Sequence, residues 1–124
     1  MTQRETPLDE ETVKIRLSQE LPKWYLENGW IRRRYKTSGW KSTLMVTNAV
    51  AFLAESAWHH PDLSITYAEV IVKLMTHSAK GITEKDFALA KVIEQTIQWK
   101  APETHPGVLE GTPDDPRFKM VKFD

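Results

Sequence analysis

The chain has 124 residues, 40% of them hydrophobic, and its 17 basic and 17 acidic residues leave a formal net charge of zero. This length suits one domain with a single core. The balanced charge gives no electrostatic case for a nucleic-acid or membrane partner, and the lack of cysteine excludes disulfides and thiolate metal sites. The first residues are polar and no run approaches the ~20 apolar residues of a membrane helix, so we expect a cytoplasmic protein.

The first predicted element is a helix from Leu8 to Glu20. Thr6 is a candidate cap, Pro7 suits the first turn and Asp9 completes a capping-box pattern. Pro22 ends the helix.

A hairpin follows, with aromatic residues on both sides of Asn28-Gly29, the favoured pair for a two-residue turn. Its second strand contains Arg32-Arg33-Arg34, which resembles a nucleic-acid patch. The neutral charge of the whole chain favours the other interpretation, in which solvated arginines lie on an exposed face or edge of the strand.

The strongest helical pattern runs from about Lys41 to Trp58, with Ser38 as a candidate cap and a start nearer Ser42 as the alternative. Its large apolar residues are predicted to lie in the core rather than in a ligand site. These residues are Trp40, Leu44, Met45, Phe52 and Leu53, and Ala49 and Ala57 complete the helical pattern.

His59-His60-Pro61-Asp62 breaks this helix, because the residue before a proline is pushed out of the helical region. Strands are then predicted at Ser64 to Tyr67 and Glu69 to Thr76. Thr83 is predicted to cap a last helix from Glu84 to Gln98.

This order of elements predicts an α+β fold, a four-stranded antiparallel sheet with three helices packed on one face. Residues 1–100 form the predicted domain. Residues 101–124, called the tail below, contain four of the seven prolines, so no helix is expected there. The last eight residues, 117–124, are predicted to form an extended strand.

Three of the four histidines, His59, His60 and His77, lie in one stretch of the sequence. Together with Glu55, Tyr67 and Asp86 they form a spaced cluster of polar residues. Histidine has an unperturbed pKa near neutral pH, so the cluster suggests proton transfer. Glu55 and His59 are four residues apart near a helix end, where a carboxylate can orient an imidazole ring.

Structural roles also explain single members of the cluster. His-His-Pro can be a polar turn at a helix end, Asp86 fits a capping box with Thr83, and Tyr67 can be ordinary strand packing. Three histidines with Glu55 could also bind zinc. However, adjacent residues seldom face one ion and no paired His-x-His spacing occurs, so no metal site is predicted.

The full string of residue types and gaps from Glu55 to Asp86 resembles the motif of the pterin-4a-carbinolamine dehydratase family, and the order of elements is similar from Leu8 to Trp99. The resemblance implies dehydration of 4a-hydroxytetrahydropterin to quinonoid dihydropterin without a cofactor. It implies an acid/base pair of His59 and His77, a pterin-orienting His60, and supporting carboxylates at Glu55 and Asp86. Tyr67 is a candidate for substrate binding. Family members form dimers and dimers of dimers.

Two features depart from the usual family pattern. Trp58 stands where an acidic residue is common, and it could stack on a pterin or block the pocket. The tail, above all residues 109–118, resembles a dehydratase-like subgroup that is encoded with α-carboxysome genes and associated with RuBisCO assembly. The resemblance therefore implies two functions: a pterin dehydratase, or a catalytically inactive, carboxysome-associated assembly factor whose partner is RuBisCO.

Overall fold

The computed structural model of the chain describes residues 6–122. Its elements follow the predicted order, with a short helix added in the tail. They are α1 (Glu10–Glu20), β1 (Tyr25–Glu27), β2 (Trp30–Lys36), α2 (Trp40–Ala57), β3 (Asp62–Thr66), β4 (Glu69–Leu74), a 3-10 turn (His77–Ala79), α3 (Glu84–Ile97) and α4 (Ala101–Thr104). Every strand pair is antiparallel, in the order β1-β2-β4-β3. The predicted α+β architecture is confirmed. Within residues 6–122, no helix has both the length and the apolar character needed to cross a membrane.

Local chemistry explains where the first elements begin and turn. The carboxylate of Asp9 accepts the Thr12 N–H at 2.7 Å, so Asp9 rather than Thr6 caps α1. The predicted hairpin turn is confirmed: Asn28 and Gly29 have φ of 51° and 79°, as a type I′ turn requires. α2 begins at Trp40 after Gly39, without the predicted side-chain cap from Ser38.

The core lies between the sheet and the helices. Every second residue of β2 and β4 faces the helices and is buried, as the two-residue period of a strand dictates. The most buried strand residues are Ile31, Tyr35, Val70, Val72 and Leu74. The apolar residues that α3 buries are Phe87, Leu89, Ala90 and Ile93.

α2 buries a different stripe from the predicted one. Its buried residues are small or β-branched: Ser42, Thr43, Val46, Val50 and Ala54. Small side chains let a helix approach its neighbours closely, which explains why size alone gave the wrong face. The large apolar residues that were expected in the core are exposed: Trp40, Leu44, Met45 and Phe52.

The arginine run is also only partly solvated. β2 lies between β1 and β4, so it is not an edge strand, and Arg33 faces the helices with 3% of its surface exposed. Its guanidinium donates to Glu94 of α3 at 2.9 Å. The expectation of solvated side chains was therefore wrong for Arg33, while Arg34 stays exposed and pairs with Glu69.

Glu94 is the centre of a polar cluster beneath α3. Besides Arg33, it accepts hydrogen bonds from the Tyr35 hydroxyl at 2.6 Å and the Trp24 indole at 3.0 Å. Partial burial raises the pKa of Glu94, but the hydrogen bonds from Arg33 and Tyr35 outweigh it, and the net pKa lies below its ordinary value of 4.5.

Glu94→Ala should lower the free energy of unfolding by about 3 kcal/mol, because it leaves the buried Arg33 without its carboxylate. Urea denaturation measures this, with the exposed Glu11→Ala as the matched control.

The depressed pKa of Glu94 also sets a pH dependence: the contribution of Glu94 to stability is complete above pH 4.5 and is lost as the pH falls through the folded pKa. Acidification below pH 4.5 should therefore lower the unfolding free energy of Glu94→Ala less than that of the wild type. A change in unfolding free energy below about 0.5 kcal/mol would contradict this role.

The tail folds back onto the body of the protein. Contrary to expectation it contains a helix, the single turn α4, in which Pro102 occupies the first turn and interrupts no helical hydrogen bond. The predicted terminal strand is reduced to one antiparallel bridge between Thr37 and Val121. The Lys122 N–H donates to the Lys36 carbonyl at 2.8 Å, and Val121 is 6% exposed. The last two residues of that prediction, 123 and 124, lie outside the described residues.

Candidate active site

The C-terminal end of α2 sets the directions of the two adjacent histidines. Trp58 ends the helix in the left-handed conformation, with φ 54° and ψ 45°. The His59 N–H donates to the Ala54 carbonyl at 3.1 Å, which closes the helix end. The chain reverses at this point, so His59 leaves the face on which Glu55 lies. The predicted pairing of Glu55 with His59 was therefore wrong.

Asp86 is the partner of His59 instead. Asp86 Oδ1 lies 2.6 Å from Nε2 of His59, and the Asp86 side chain is fully buried. Its other oxygen accepts the Thr76 hydroxyl at 2.7 Å and the Thr83 N–H at 2.9 Å. The capping box at the start of α3 is thus present, and the same carboxylate also orients an imidazole. Within residues 6–122, Nδ1 of His59 makes no hydrogen bond, so it is the nitrogen that remains for proton exchange.

His60 belongs to a second, more exposed pair. Its Nε2 lies 2.9 Å from Glu55 Oε1, and both side chains are more than half exposed. The Trp58 indole packs edge-on against the His60 ring with a centroid separation of 5.0 Å. Trp58 itself is 75% exposed. An exposed aromatic plane and an imidazole therefore stand side by side next to the His59–Asp86 pair.

His77 lies in the 3-10 turn that follows β4, where its side chain is exposed. The ring packs edge-on against Trp30 at 5.5 Å between centroids. The preceding residue, Thr76, is hydrogen-bonded to Asp86, so the end of β4 is tied directly to the partner of His59. The sequence analysis did not identify Trp30 or Thr76 as residues of the site. Trp30 was considered only as an aromatic residue of the hairpin, and Thr76 only as a residue of a predicted strand.

Tyr67 does not join the histidines within one chain. It follows β3 and approaches Gly39, where a Cβ added to that glycine would lie 3.4 Å from the Tyr67 ring. Gly39 precedes α2, whereas His59 follows it, and a helix of 18 residues is roughly 27 Å long. The sequence spacing places Tyr67 in the motif, but the fold places it at the other end of the helix.

The donor set around these residues does not form a metal site. Within residues 6–122, no group of three or more histidine, aspartate or glutamate side chains is arranged to hold a metal ion. The carboxylates instead pair one to one with imidazoles, Asp86 with His59 and Glu55 with His60. Such pairs fix the orientation of each ring, which suits proton transfer.

Comparisons with known proteins give the family. The sequence model described as pterin 4 alpha carbinolamine dehydratase matches residues 6–96. A protein of Aquifex aeolicus, named provisionally as a pterin-4-alpha-carbinolamine dehydratase, is 46% identical over 91 residues, which are 73% of this chain and 91% of that protein. A protein of Chloroflexus aurantiacus with the same provisional name is 44% identical over 90 residues, 73% of this chain and 96% of its own length.

The solved structures agree. The crystal structure of a transcriptional coactivator/pterin dehydratase from Brucella melitensis superimposes with a TM-score of 0.65 at 27% identity, covering 72% of this chain and 96% of that one. The matched region contains the sheet, the three main helices and all three clustered histidines, and it ends just before the tail. The chain belongs to the pterin-4a-carbinolamine dehydratase family of hydro-lyases.

Proposed function

We propose that this chain removes water from a 4a-hydroxytetrahydropterin and releases the quinonoid dihydropterin. The observation that supports this most is the His59–Asp86 pair, tied through Thr76 to the turn that presents His77. In the reaction the carbon–hydroxyl bond breaks, the neighbouring ring nitrogen gives up its proton, and a carbon–nitrogen double bond forms. One group must protonate the departing hydroxyl and another must accept the nitrogen proton.

His59 and His77 are proposed to perform these two transfers. Hydrogen bonding of Nε2 to Asp86 leaves Nδ1 of His59 as the basic nitrogen, and the buried carboxylate stabilises the imidazolium that forms when the proton arrives. His77 is exposed on the neighbouring turn, where a protonated ring can donate to a leaving hydroxyl. The purified full-length chain should therefore speed dehydration of 4a-hydroxytetrahydropterin above the spontaneous rate.

His60 and Trp58 are proposed to bind the pterin rather than to transfer protons. The His60–Glu55 pair is exposed, so it can turn a donor toward a ligand with little desolvation cost. Trp58 holds the left-handed conformation that usually favours glycine, which costs roughly 1–2 kcal/mol for a residue with a side chain. Such local strain is frequent at functional sites.

Trp58→Ala should weaken dihydropterin binding by up to about tenfold, because stacking on a flat ring is worth ~0.5–1.5 kcal/mol beyond area burial. Calorimetric titration of both proteins with the same dihydropterin measures the change. Trp58→Phe is the matched control, since it keeps an aromatic face and should retain most of the affinity. Tighter binding by Trp58→Ala would mean that the indole blocks the pocket and would contradict this proposal.

A second candidate function, assembly of RuBisCO in carboxysomes, is supported by the packing of the tail. The tail lies beyond the family match yet docks at the end of β2, through the Thr37–Val121 bridge and the hydrogen bond from Lys122 to Lys36, so it adds structured surface to the domain. Removing residues 101–124 should impair RuBisCO assembly in a reconstituted assay if this function holds. Circular dichroism should first establish that the shortened chain is folded. Equal assembly with and without the tail in a folded protein would contradict it.

Self-association is proposed as well, as a dimer or a dimer of dimers. The exposed apolar stripe on α2, which contains Trp40, Leu44 and Phe52, is typical of a surface that another chain covers. Light scattering should give more than one chain per particle. Phe52→Asp should shift that mass downward, because it puts a charge on the stripe.

A further inference from the structure

A cavity of about 910 Å³ lies between the first turn of α2 and the tail, and none of the clustered histidines lines it. The volume falls at the upper end of the ~300–1,000 Å³ that ligand sites occupy. All but three of its lining residues lie at Ile97 or later, outside the region that the family model matches. The family relationship therefore assigns no role to this cavity, which is called the tail groove below.

The walls of the tail groove are held in place by specific contacts. Gly111 has φ +79°, and a Cβ there would lie 2.8 Å from the Pro102 ring, so glycine lets this loop pack directly on α4. The Asp115 carboxylate accepts both the backbone N–H and the guanidinium of Arg117. Val121 anchors the far end through its bridge to Thr37, the residue that follows β2. The groove is thus formed before any ligand arrives, which lowers the entropic cost of binding.

The lining is mostly apolar and offers little to a small polar ligand. The Ser42 hydroxyl is already hydrogen-bonded to Ser38 at 2.8 Å. A small-molecule site normally needs several convergent polar groups, whereas aromatic and methionine side chains are enriched at protein interfaces. The large lining side chains that remain at least a third exposed are Met45, Trp99, Phe118 and Met120.

The charges on the lining favour an anionic partner. Four basic side chains line the groove and one carboxylate, Glu103, opposes them. Arg117 and Lys119 are paired with aspartates that lie outside the lining, and Lys41 is exposed with no ion pair among residues 6–122. We propose that the tail groove binds a segment of another protein in which apolar side chains alternate with aspartate or glutamate. Apolar side chains would fill the lining and carboxylates would face the basic rim.

Selection from a phage-displayed library of random peptides of about twelve residues, on the immobilised full-length chain, tests this without assuming a sequence. The expected result is enrichment of peptides that combine Phe, Leu or Trp with Asp or Glu. The enriched peptides, made synthetically with a fluorophore, should bind in anisotropy titrations and should bind more weakly as salt is raised.

Two variants locate the binding. Lys41→Glu should weaken the enriched peptides about tenfold, because it places a like charge at the rim. It should leave the fold intact, since a glutamate in the first turn of α2 is favoured by the helix dipole. Phe118→Asp should weaken binding similarly by charging the apolar lining. Lys23→Glu, which changes an exposed lysine outside the groove, is the matched control and should bind as the wild type does.

Three results would overturn the proposal: no enrichment, enrichment of basic peptides, or equal binding by the wild type, Lys41→Glu and Phe118→Asp. None of these readouts depends on pterin turnover, so the tail groove is tested separately from the histidine cluster.

Discussion

His77→Ala and His59→Ala are each expected to lower the rate of pterin dehydration by on the order of 10²-fold or more, because each removes a group proposed to transfer a proton. The loss should appear in kcat. His60→Ala should raise KM more than it lowers kcat, because His60 is assigned to binding. Steady-state kinetics with 4a-hydroxytetrahydropterin separates the two patterns.

The chain offers its own control for these substitutions. His105 is the fourth histidine and lies in the tail, and within residues 6–122 its side chain hydrogen-bonds only to the Thr104 hydroxyl. His105→Ala should leave both kinetic constants unchanged. His77 is exposed, so His77→Ala should fold normally, whereas His59→Ala also deprives a buried carboxylate of its partner. Wild-type kcat in folded His77→Ala protein would remove His77 from the mechanism.

Asp86→Ala is expected to be the most damaging single substitution, with a loss of about 3 kcal/mol in unfolding free energy together with activity. The fully buried carboxylate satisfies the Thr76 hydroxyl, the Thr83 N–H and the His59 ring. Removing it abolishes the capping box of α3 and frees the His59 ring at the same time. Urea denaturation gives the stability loss.

Asp86→Asn separates the catalytic part of this effect from the structural part. Its carbonyl oxygen can still accept the Thr83 N–H, so the stability loss should be smaller. Its amide group, however, would donate to Nε2 of His59 and force the ring proton onto Nδ1, so the nitrogen proposed as the base could no longer accept a proton. We expect kcat to fall by about 10²–10⁴-fold. The matched control is Asp9→Asn at the cap of α1, which changes a helix cap outside the candidate site. An unchanged kcat in Asp86→Asn would contradict the assigned orientation of the His59 ring.

The fold was predictable because its local patterns are unambiguous. Asn28-Gly29 specifies its turn and Thr83 with Asp86 specifies the start of α3. The inward face of α2 was not predictable from side-chain size, because most of its large apolar residues are exposed and its buried stripe consists of small or β-branched residues. Arg33 was assigned to solvent for a similar reason: its partner Glu94 is 61 residues away, and sequence spacing carries no information about such a contact.

Several contacts in the candidate active site were also not predictable from sequence spacing. Helical spacing placed Glu55 beside His59, but the left-handed turn at Trp58 exchanges the partners, and Glu55 meets His60 instead. No glycine marked that turn in the sequence. Tyr67 is part of the spacing that resembles the family motif, yet it lies at the other end of α2 from His59, so such spacing does not establish proximity. Thr76 and Trp30 became relevant only through contacts that the sheet creates.

The most direct test of histidine-catalysed dehydration is the rate at which the purified full-length chain converts 4a-hydroxytetrahydropterin to quinonoid dihydropterin. The double variant His59→Ala/His77→Ala serves as the matched protein blank. A wild-type rate far above the spontaneous one, with the double variant near background, is the predicted result. A wild-type chain that binds dihydropterin but never exceeds the spontaneous rate would contradict the proposed dehydratase function and leave the cluster as a binding site alone.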